Sequence, residues 1–428
     1  MSNKDKASLV PKLRFPGFNE SWSNDPLFKT LVEHKLKNSS GRDVFSVSME
    51  SGIVNQIEHL GRSFAAADTS HYTVGRRFDV VYTKSPLKAF PFGIVKQCKF
   101  DGEVALSPLY GVFTPKNPDV GLMIEAYFES PNRSKSFLSP LCQKGAKNTL
   151  QITNTTFLSG RLPLPVEPKE QQKIADCLNS LDELIAAHAR KMDALKIHKK
   201  GLMQQLFPSE GETQPRLRFP EFRDVGEWGL STLGQHIQLQ SGFAFSSTYF
   251  GSKGQKLVTP KNFTKFGFGN FDDSISKFTT EEVPQKYICE AGDLLVLLTD
   301  LTPTCELLGK PLEISEQDGA VFLNQRVAKV ALVSNDVTKS FLKQFFFTES
   351  YNKIIVETAA GSTVKHSSNK VLLNMKIVFP HLVEQQRIVD CLTSLDNLIA
   401  SQTQALEALK THKKGLMQQL FPTVEDAA

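Results

Sequence analysis

The longest hydrophobic pattern in the chain is a stretch of 39 residues that occurs twice. Residues 170–208 and 384–422 align without a gap and are identical at 27 of the 39 positions. In each copy, apolar residues recur in steps of three and four, which predicts a long helix with a coiled-coil seam. A helix of about 38 residues forms a rod roughly 57 Å long at ~1.5 Å per residue. The predicted seam consists of Ile174, Leu178, Leu181, Ile185, Met192 and Leu195 in the first copy and Ile388, Leu392, Leu395, Ile399, Leu406 and Leu409 in the second.

Polar residues interrupt this seam at two places in each copy. They are His188 and Lys199 in the first copy, and Gln402 and Lys413 in the second. A polar residue in a seam favours one register over the others, so we expect these positions to fix how the helices pair. Two nearly identical rods in one chain are natural partners for each other. The alternative is a pair of amphipathic helices that pack on separate cores.

A shorter repeat divides the rest of the chain. The motif L-R-F-P-x-F at Leu13–Phe18 returns at Leu217–Phe222, and a tryptophan follows each copy. The two regions between the repeated segments, about residues 23–168 and 229–382, do not align with each other. We therefore expect two similar frames that carry different inserts. The predicted segments are 1–168, a long helix at 169–208, then 209–382, a second long helix at 383–422, and a tail at 423–428.

The two inserted regions are predicted to be mixed α/β domains. Short β-rich runs punctuated by Pro and Gly begin at Val44, Asp79, Gly93 and Leu109 in the first region, and at Lys256, Gly292, Ala320 and Val327 in the second. The second region also carries a helical pattern over residues 340–357. The expected fold class is α+β, with each mixed domain followed by a long helix.

Composition excludes several classes of protein. The chain has 428 residues, of which 40% are hydrophobic, and a net charge of +5, which is compatible with a nucleic-acid partner. No apolar run approaches the roughly 20 residues of a membrane span, and we expect no signal peptide. The six cysteines form no CxxC pair and no metal-ligand spacing. We therefore expect a cytoplasmic protein without a bound metal.

Motifs that carry catalysis are absent from the sequence. It contains no GxxxxGK[ST], HExxH or GxSxG, and no Asp/Asn-Pro-Pro-aromatic segment of the kind that holds the target base in DNA amino-methyltransferases. The glycine-rich stretch at residues 266–269 is expected to be a loop between strands. We expect the chain to catalyse no reaction by itself.

Taken together, these motifs resemble those of a known family. Two variable regions, each followed by a duplicated helix that begins E-Q-Q-[KR]-I and ends H-K-K-G-L-M-Q-Q-L-F-P, are similar to type I restriction-modification specificity (S) subunits. The L-R-F-P-x-F openings are similar to openings seen in that family. The resemblance covers nearly the whole chain.

This resemblance implies a fold and a set of partners. The variable regions would be target recognition domains, each reading one half of an asymmetric, bipartite DNA target. The helices would pair as an antiparallel coiled coil with pseudo-twofold symmetry, set the spacing, and dock two methyltransferase (M) subunits. Those subunits would use S-adenosylmethionine to methylate adenine N6. Restriction (R) subunits would use ATP and Mg²⁺ for translocation and cleavage, and this chain would hold no cofactor.

Lysine, arginine and amide residues near aromatic residues form the predicted DNA-binding surface. Lys and Arg suit phosphates, Arg suits guanine, and Asn or Gln suits adenine. The strand-to-loop elements after residues 83 and 298, and the segment 107–110, resemble elements that lie beside DNA in the family. The predicted DNA-binding residues are Arg76, Arg77, Lys84, Ser85, Lys88 and Lys96 in the first region and Lys253, Lys256, Lys261, Lys265, Thr299, Asn324, Gln325, Arg326 and Lys365 in the second.

The predicted DNA-binding residues and the predicted function each have a simpler alternative. Any single lysine is often only a solvated surface charge, and Asn324-Gln325 fits a structural turn equally well. For the whole chain, one alternative is a coiled-coil scaffold that binds proteins only, and another is an enzyme with an unrecognised site. Loss of DNA affinity after Lys and Arg substitutions would separate the first interpretation from the scaffold.

Overall fold

The computed structural model describes residues 9–144, 150–300, 304–361 and 364–422. The chain divides into two compact units: the first unit combines Met1–His188 with Ala405–Ala428, and the second unit is Ala189–Gln404. Each unit contains one mixed α/β domain and a part of both long helices, whereas the sequence analysis treated each helix as a segment of its own. No helix among the described residues is long and apolar enough to cross a bilayer.

The elements of the first repeat run from the opening segment to the first long helix. The strands are β1 (Ser23–Pro26), β2 (Leu31–Glu33), β3 (Val44–Ser48), β4 (Gly52–Asn55), β5 (Thr73–Arg76), β6 (Val80–Thr83), β7 (Ile94–Gln97), β8 (Glu103–Leu106), β9 (Gly111–Pro115), β10 (Gln143–Lys144), β11 (Leu150–Gln151) and β12 (Arg161–Leu164). The helices are α1 (Gln56–Leu60), α2 (Pro118–Phe128), α3 (Pro131–Leu138), α4 (Asn154–Ser159) and α5 (Pro168–Leu206).

Two four-stranded sheets form the mixed domain of the first unit. Their strand orders are β4-β3-β8-β5 and β2-β9-β6-β7, and β1 pairs with β12, which brings the start and the end of the domain together. The pair β3 and β8 is parallel, whereas the other neighbours in the two sheets are antiparallel. The apolar face of α2 packs on the second sheet and buries Met123, Ile124 and Phe128.

The second repeat contains the corresponding elements. Its strands are β13 (Gly229–Thr232), β14 (Ile237–Ser241), β15 (Phe250–Gly251), β16 (Gln255–Val258), β17 (Lys277–Thr279), β18 (Ile288–Cys289), β19 (Leu294–Leu297), β20 (Thr299–Asp300), β21 (Pro311–Glu313), β22 (Val321–Leu323), β23 (Val327–Leu332), β24 (Lys365–His366) and β25 (Lys376–Phe379). Its helices are α6 (Lys339–Phe345), α7 (Glu349–Glu357), α8 (Asn369–Asn374) and α9 (Leu382–Leu420).

The second mixed domain has the same topology as the first, although the two sequences do not align by eye. The order β14-β23-β19-β21 repeats β2-β9-β6-β7, and β17-β16-β22-β18 repeats β4-β3-β8-β5, with β15 added at the edge. The central pair β16 and β22 is again parallel. The strand β13 pairs with β25, as β1 pairs with β12. The same fold therefore occurs twice with different side chains.

Most predicted strands and both long helices are confirmed, within one to three residues at their ends. The predicted run from Gly292 is the fully buried strand β19. The single helix expected over residues 340–357 is wrong, because the structure has two helices there. They separate where the Thr348 hydroxyl accepts a hydrogen bond from the Tyr351 amide and caps the start of α7.

The seam positions of α5 and α9 are buried or half-buried, as the apolar pattern predicted. In the first unit, Ile174 and Leu178 share a core with Met417 and Leu420. In the second unit, Met203 and Leu206 share a core with Ile388 and Leu392. Within each unit, early residues of one helix therefore share a core with late residues of the other.

Two equivalent ion pairs lie in this seam. In the first unit the Lys413 ammonium is 2.6 Å from Asp182, and in the second the Lys199 ammonium is 2.6 Å from Asp396. In the second unit, Met192 also contacts Thr403, one heptad from the Lys199–Asp396 pair on both helices. The predicted polar seam positions Lys199 and Lys413 thus each have a counter-ion on the partner helix. Such pairs select one register.

The repeated opening motif is held against the start of a long helix in each unit. Arg14 makes a bidentate ion pair with Glu170 at 2.7 and 2.8 Å, and Arg218 makes the same pair with Glu384 at 2.8 and 2.7 Å. The Leu13 amide donates to the Gln419 carbonyl. The opening motifs therefore contact residues of the repeated helices, which explains why the two kinds of repeat occur together.

Gly201 and Gly415 lie in open space. A Cβ atom at either position would meet nothing within 4 Å among the described residues. Neither glycine is therefore required by a close contact within the described part of the chain.

Candidate nucleic-acid interface

Parallel strands place two loops side by side in each mixed domain. The strands β16 and β22 run in the same direction, so the loops that follow them lie at the same end of the sheet. These loops are residues 259–261 and 324–326. The strand β19 ends there too, since the Leu298 amide donates to the Arg326 carbonyl at 3.0 Å. We call this end of the sheet the loop end of the second unit.

A cavity of about 260 Å³ opens at this loop end. It is lined by four predicted residues, Lys261, Asn324, Gln325 and Arg326, together with Phe245, Phe250, Thr259, Pro260 and Lys277. Phe245 and Lys277 were not predicted from the sequence. Aromatic faces, amides and a guanidinium are the groups that stack on bases and read their edges.

The turn at residues 324–326 explains how its side chains are presented. The Asn324 carboxamide oxygen accepts a hydrogen bond from the Arg326 amide at 3.2 Å, and the Gln325 amide donates to the Phe243 carbonyl. The structural-turn interpretation is therefore correct for Asn324. Gln325 and Arg326 are exposed beside it. The turn thus holds two side chains toward solvent at the rim of the cavity.

Aromatic rings and a lysine ammonium form the walls of the cavity. Phe245 stacks on Phe322 of β22 with a centroid distance of 5.9 Å and an interplanar angle of 9°. The Lys277 ammonium lies 4.7 Å from the ring centroid of Phe250. One wall is therefore anchored to the sheet, and the other carries a positive charge.

Two predicted residues near this loop end have structural contacts. Thr299 is buried, and its hydroxyl is 3.1 Å from Nδ1 of His366. Lys365 pairs through its backbone with Asp300 in a short antiparallel ladder. The segment around Lys365 therefore pairs with β20. Residues 362–363 of that segment lie outside the described residues.

The first unit has an equivalent loop end. Tyr82 of β6 pairs with Gly111 of β9, so the loop at 107–110 lies beside the end of β6. The predicted residues Lys84, Ser85 and Lys88 follow β6 and are exposed. Partial desolvation of its ammonium by neighbouring groups lowers the pKa of Lys84. The loop at 107–110 carries Leu109, which is 74% exposed.

Other predicted residues of the first unit lie away from this loop end. Arg76 forms an ion pair with Glu103 at 2.9 Å, and Glu103 is the first residue of β8, at the opposite end of the sheet. Arg77 pairs with Asp101 at 3.1 Å. The structure therefore divides the predicted basic cluster into two groups and places only one of them beside the loop at 107–110.

Lys96 is the clearest correction to the predicted interface. Its side chain is 6% exposed, and its ammonium lies 3.3 Å from both Glu125 and Glu129. A buried ammonium with two carboxylate partners is not accessible to a phosphate. The helix α2 supplies Glu125, so the surroundings of Lys96 depend on packing and not on neighbouring sequence.

Three predicted lysines of the second unit also lie outside the cavity at the loop end. Lys253 precedes β16 and is exposed at the opposite end of that strand from the loop end. The Lys256 ammonium donates to the Phe271 carbonyl and pairs with Asp273 at 2.9 Å. Lys265 pairs with Glu306 at 2.5 Å.

Comparison with known proteins gives the family. A model described as the type I restriction modification DNA specificity domain matches residues 90–197 and 226–411. The type I restriction enzyme MjaVIII specificity subunit of Methanocaldococcus jannaschii is 28% identical over 302 residues, which are 69% of this chain and 68% of that protein. The EcoAI specificity subunit of Escherichia coli is 28% identical over 259 residues, which are 58% of this chain and only 40% of that protein.

A solved structure shares the fold. The S subunit of a type I restriction-modification system from M. genitalium superposes with a TM-score of 0.59 at 13% identity, over 97% of this chain and 100% of that one. The family model covers more than half of the present chain, and its two matched segments include the loop at 107–110 and the loop end of the second unit. The chain belongs to the type I restriction-modification DNA specificity domain family.

Proposed function

We propose that this chain is the DNA specificity subunit of a type I restriction-modification complex and that each loop end reads one half of a bipartite target. The observation that carries the proposal is the duplicated sheet topology with different loops. At the same place in the topology, the first unit carries residues 107–109 and the second carries residues 324–326. One frame that occurs twice suits two half-sites on one duplex, and different loop residues suit half-sites of different sequence.

The side chains at the two loop ends suggest different readouts. In the second unit, Arg326 can bond guanine through two donors, and Gln325 can bond adenine. In the first unit, Leu109 suits contact with a thymine methyl group, and Lys84 and Lys88 suit phosphates. The predicted target is therefore asymmetric.

The paired helices would set the distance between the half-sites and dock the partners. Leu184 and Leu398 occupy the same position of the repeated helix and are 44% and 50% exposed. An exposed leucine at the same helix position in each unit fits docking of two identical partners, since both positions present the same apolar contact. We assign these partners to methyltransferase subunits that use S-adenosylmethionine to methylate adenine N6. Restriction subunits would add ATP- and Mg²⁺-dependent cleavage, while this chain contributes recognition without catalysis.

The experiment is to co-express the chain with its methyltransferase subunit in a host without adenine methylation and to map N6-methyladenine over the genome. We expect one split, asymmetric motif with a fixed gap. If the two proteins form a complex but no motif appears, the chain is a protein scaffold, and the proposed DNA reading is wrong.

A further inference from the structure

A second, larger cavity lies within the second unit. It has a volume of about 750 Å³ and is formed by the last turns of α5, the start of α7 and the loop that carries Phe266. The cationic residues that line it are Lys196, Lys199, Lys200, Arg216, Lys265, Lys310 and Lys353, whereas the acidic residues in its described lining are Glu210 and Glu349. Lys199, Lys265 and Lys353 form ion pairs with Asp396, Glu306 and Glu210. The excess positive charge of the cavity therefore comes from Lys196, Lys200, Arg216 and Lys310.

Lys310 differs from the other cations that line this cavity. Its ammonium donates to the Asn352 carboxamide oxygen at 2.5 Å and lies 5.5 Å from the ring centroid of Phe347. Lys199 lies 5.4 Å from the same ring. Among the described residues, no carboxylate is in ion-pair contact with Lys310, and burial lowers its pKa to about 8. A half-buried ammonium without a carboxylate in contact marks a place where an anion would be stabilised.

The corresponding place in the first unit is neutralised. Glu129 directly precedes the N-cap of α3, as Phe347 directly precedes the N-cap of α7. Lys413, the repeat counterpart of Lys199, lies 3.0 Å from Glu129, and Lys96 also contacts that carboxylate. In the second unit an aromatic ring replaces the carboxylate. The basic cavity is therefore a specific feature of one unit and not a consequence of the repeated helix.

We propose that this cavity binds a nucleoside triphosphate. Its phosphates would be held by Lys310, Lys200 and Arg216, and its base would lie against Phe266, which is 40% exposed and has Lys196 at 5.2 Å. The volume lies within the range of small-ligand sites. A concave cavity of this size suits a small ligand better than the convex backbone of duplex DNA. The ring beside the ammonium groups favours a ligand that is both aromatic and anionic.

The test measures binding of ATP to the complex of the chain with its methyltransferase subunit by isothermal titration calorimetry, with tripolyphosphate and adenosine as separate probes. We expect ATP to bind at least fivefold more tightly than tripolyphosphate, because stacking adds to the phosphate contacts. Phe347→Glu copies the carboxylate of the first unit and should weaken ATP binding at least tenfold. Lys310→Met, which removes a buried charge and should fold well, should weaken it several-fold. Lys376→Gln removes one exposed charge outside the cavity and serves as the matched control.

Several results would overturn the proposal. They are no ATP binding, equal affinity for ATP and tripolyphosphate, or unchanged ATP binding in both Phe347→Glu and Lys310→Met. Displacement of ATP by a duplex without a methylation site would assign the cavity to the DNA backbone and would also overturn it. Because the DNA target is mapped separately, failure here leaves the proposed DNA reading intact.

Discussion

At the scale of single residues, the cavity lysine Lys310 has a consequence for stability. The cause of its lowered pKa is burial, and its native pKa of about 8 lies below the ordinary value of 10.5. Between these two pH values the unfolded chain holds a proton that the native state has released, so stability rises with pH across this window. Below about pH 8, the buried charge costs at most about 3 kcal/mol.

We therefore predict that Lys310→Met raises the melting temperature at pH 7 and that this gain disappears as the pH rises from 8 toward 10.5. Differential scanning calorimetry at several pH values measures the effect. Lys353→Met removes an exposed charge and should change the melting temperature little at any pH. A gain from Lys310→Met that persists above pH 10.5 would show that repacking, and not the charge, is responsible.

At the scale of residues, the sequence analysis predicted only part of the candidate interface. It identified Lys261, Asn324, Gln325 and Arg326, which the structure brings together, because amide and cationic residues near strand ends suggest base reading. It missed Phe245 and Lys277, whose place in the cavity depends on the pairing of distant strands. It assigned Lys96 to the surface, because no local pattern reveals that Glu125 and Glu129 bury and neutralise that ammonium.

At the scale of elements, the seam ion pair in the first unit is central to how the helices pair. Lys413 contacts both Asp182 and Glu129. Burial alone would lower the pKa of Lys413, but the attraction of Glu129 and Asp182 outweighs it and leaves the pKa raised. The stability from this raised pKa is present below the ordinary value of 10.5 and is lost as the pH rises through the native pKa.

We predict that Lys413→Met destabilises the protein by about 2–3 kcal/mol. Removing one partner of a fully buried ion pair costs ~3–5 kcal/mol, and the two carboxylates here keep some contact with solvent. The melting temperature at pH 7 should fall by several degrees. Lys414→Met, an equal loss of charge at an exposed neighbour, is the control. Equal melting temperatures for the two variants would mean that the pair contributes nothing to the seam.

Element boundaries followed the strength of the sequence pattern. The periodic apolar positions located α5 and α9 to within a residue or two. The break between α6 and α7 was missed because the apolar run through Phe345 and Phe346 continues across it, while the Thr348 cap that divides it is a single local contact. Comparing the two inserted sequences could not reveal that the mixed domains share a topology. The same strand order can form with different side chains on each strand.

At the scale of the whole molecule, the repeated exposed leucine predicts the number of docked partners. A charged residue at Leu184 or Leu398 would place a charge in an apolar contact that depends on excluding water. We predict that Leu184→Glu and Leu398→Glu each reduce the complex from two methyltransferase subunits to one, as measured by native mass spectrometry.

The matched controls for this prediction are Asn179→Glu and Thr393→Glu. These exposed residues are repeat counterparts of each other and lie about 140° around the helix from the leucines, at ~3.6 residues per turn. Both controls should retain two partners. Loss of both partners in a single leucine variant would indicate one shared docking surface instead of two equivalent ones.

The central claim is that each loop end reads its own half of the target. Its most direct test is the N6-methyladenine map of Arg326→Gln, compared with the wild-type chain and with Arg223→Gln, an exposed arginine outside the loop end. We predict that Arg326→Gln changes or relaxes one or two bases in one half of the motif and preserves the gap and the other half. Removing a bidentate guanine contact should weaken discrimination by about 1–3 kcal/mol at that base. A motif that is unchanged, or altered in both halves, would contradict the account.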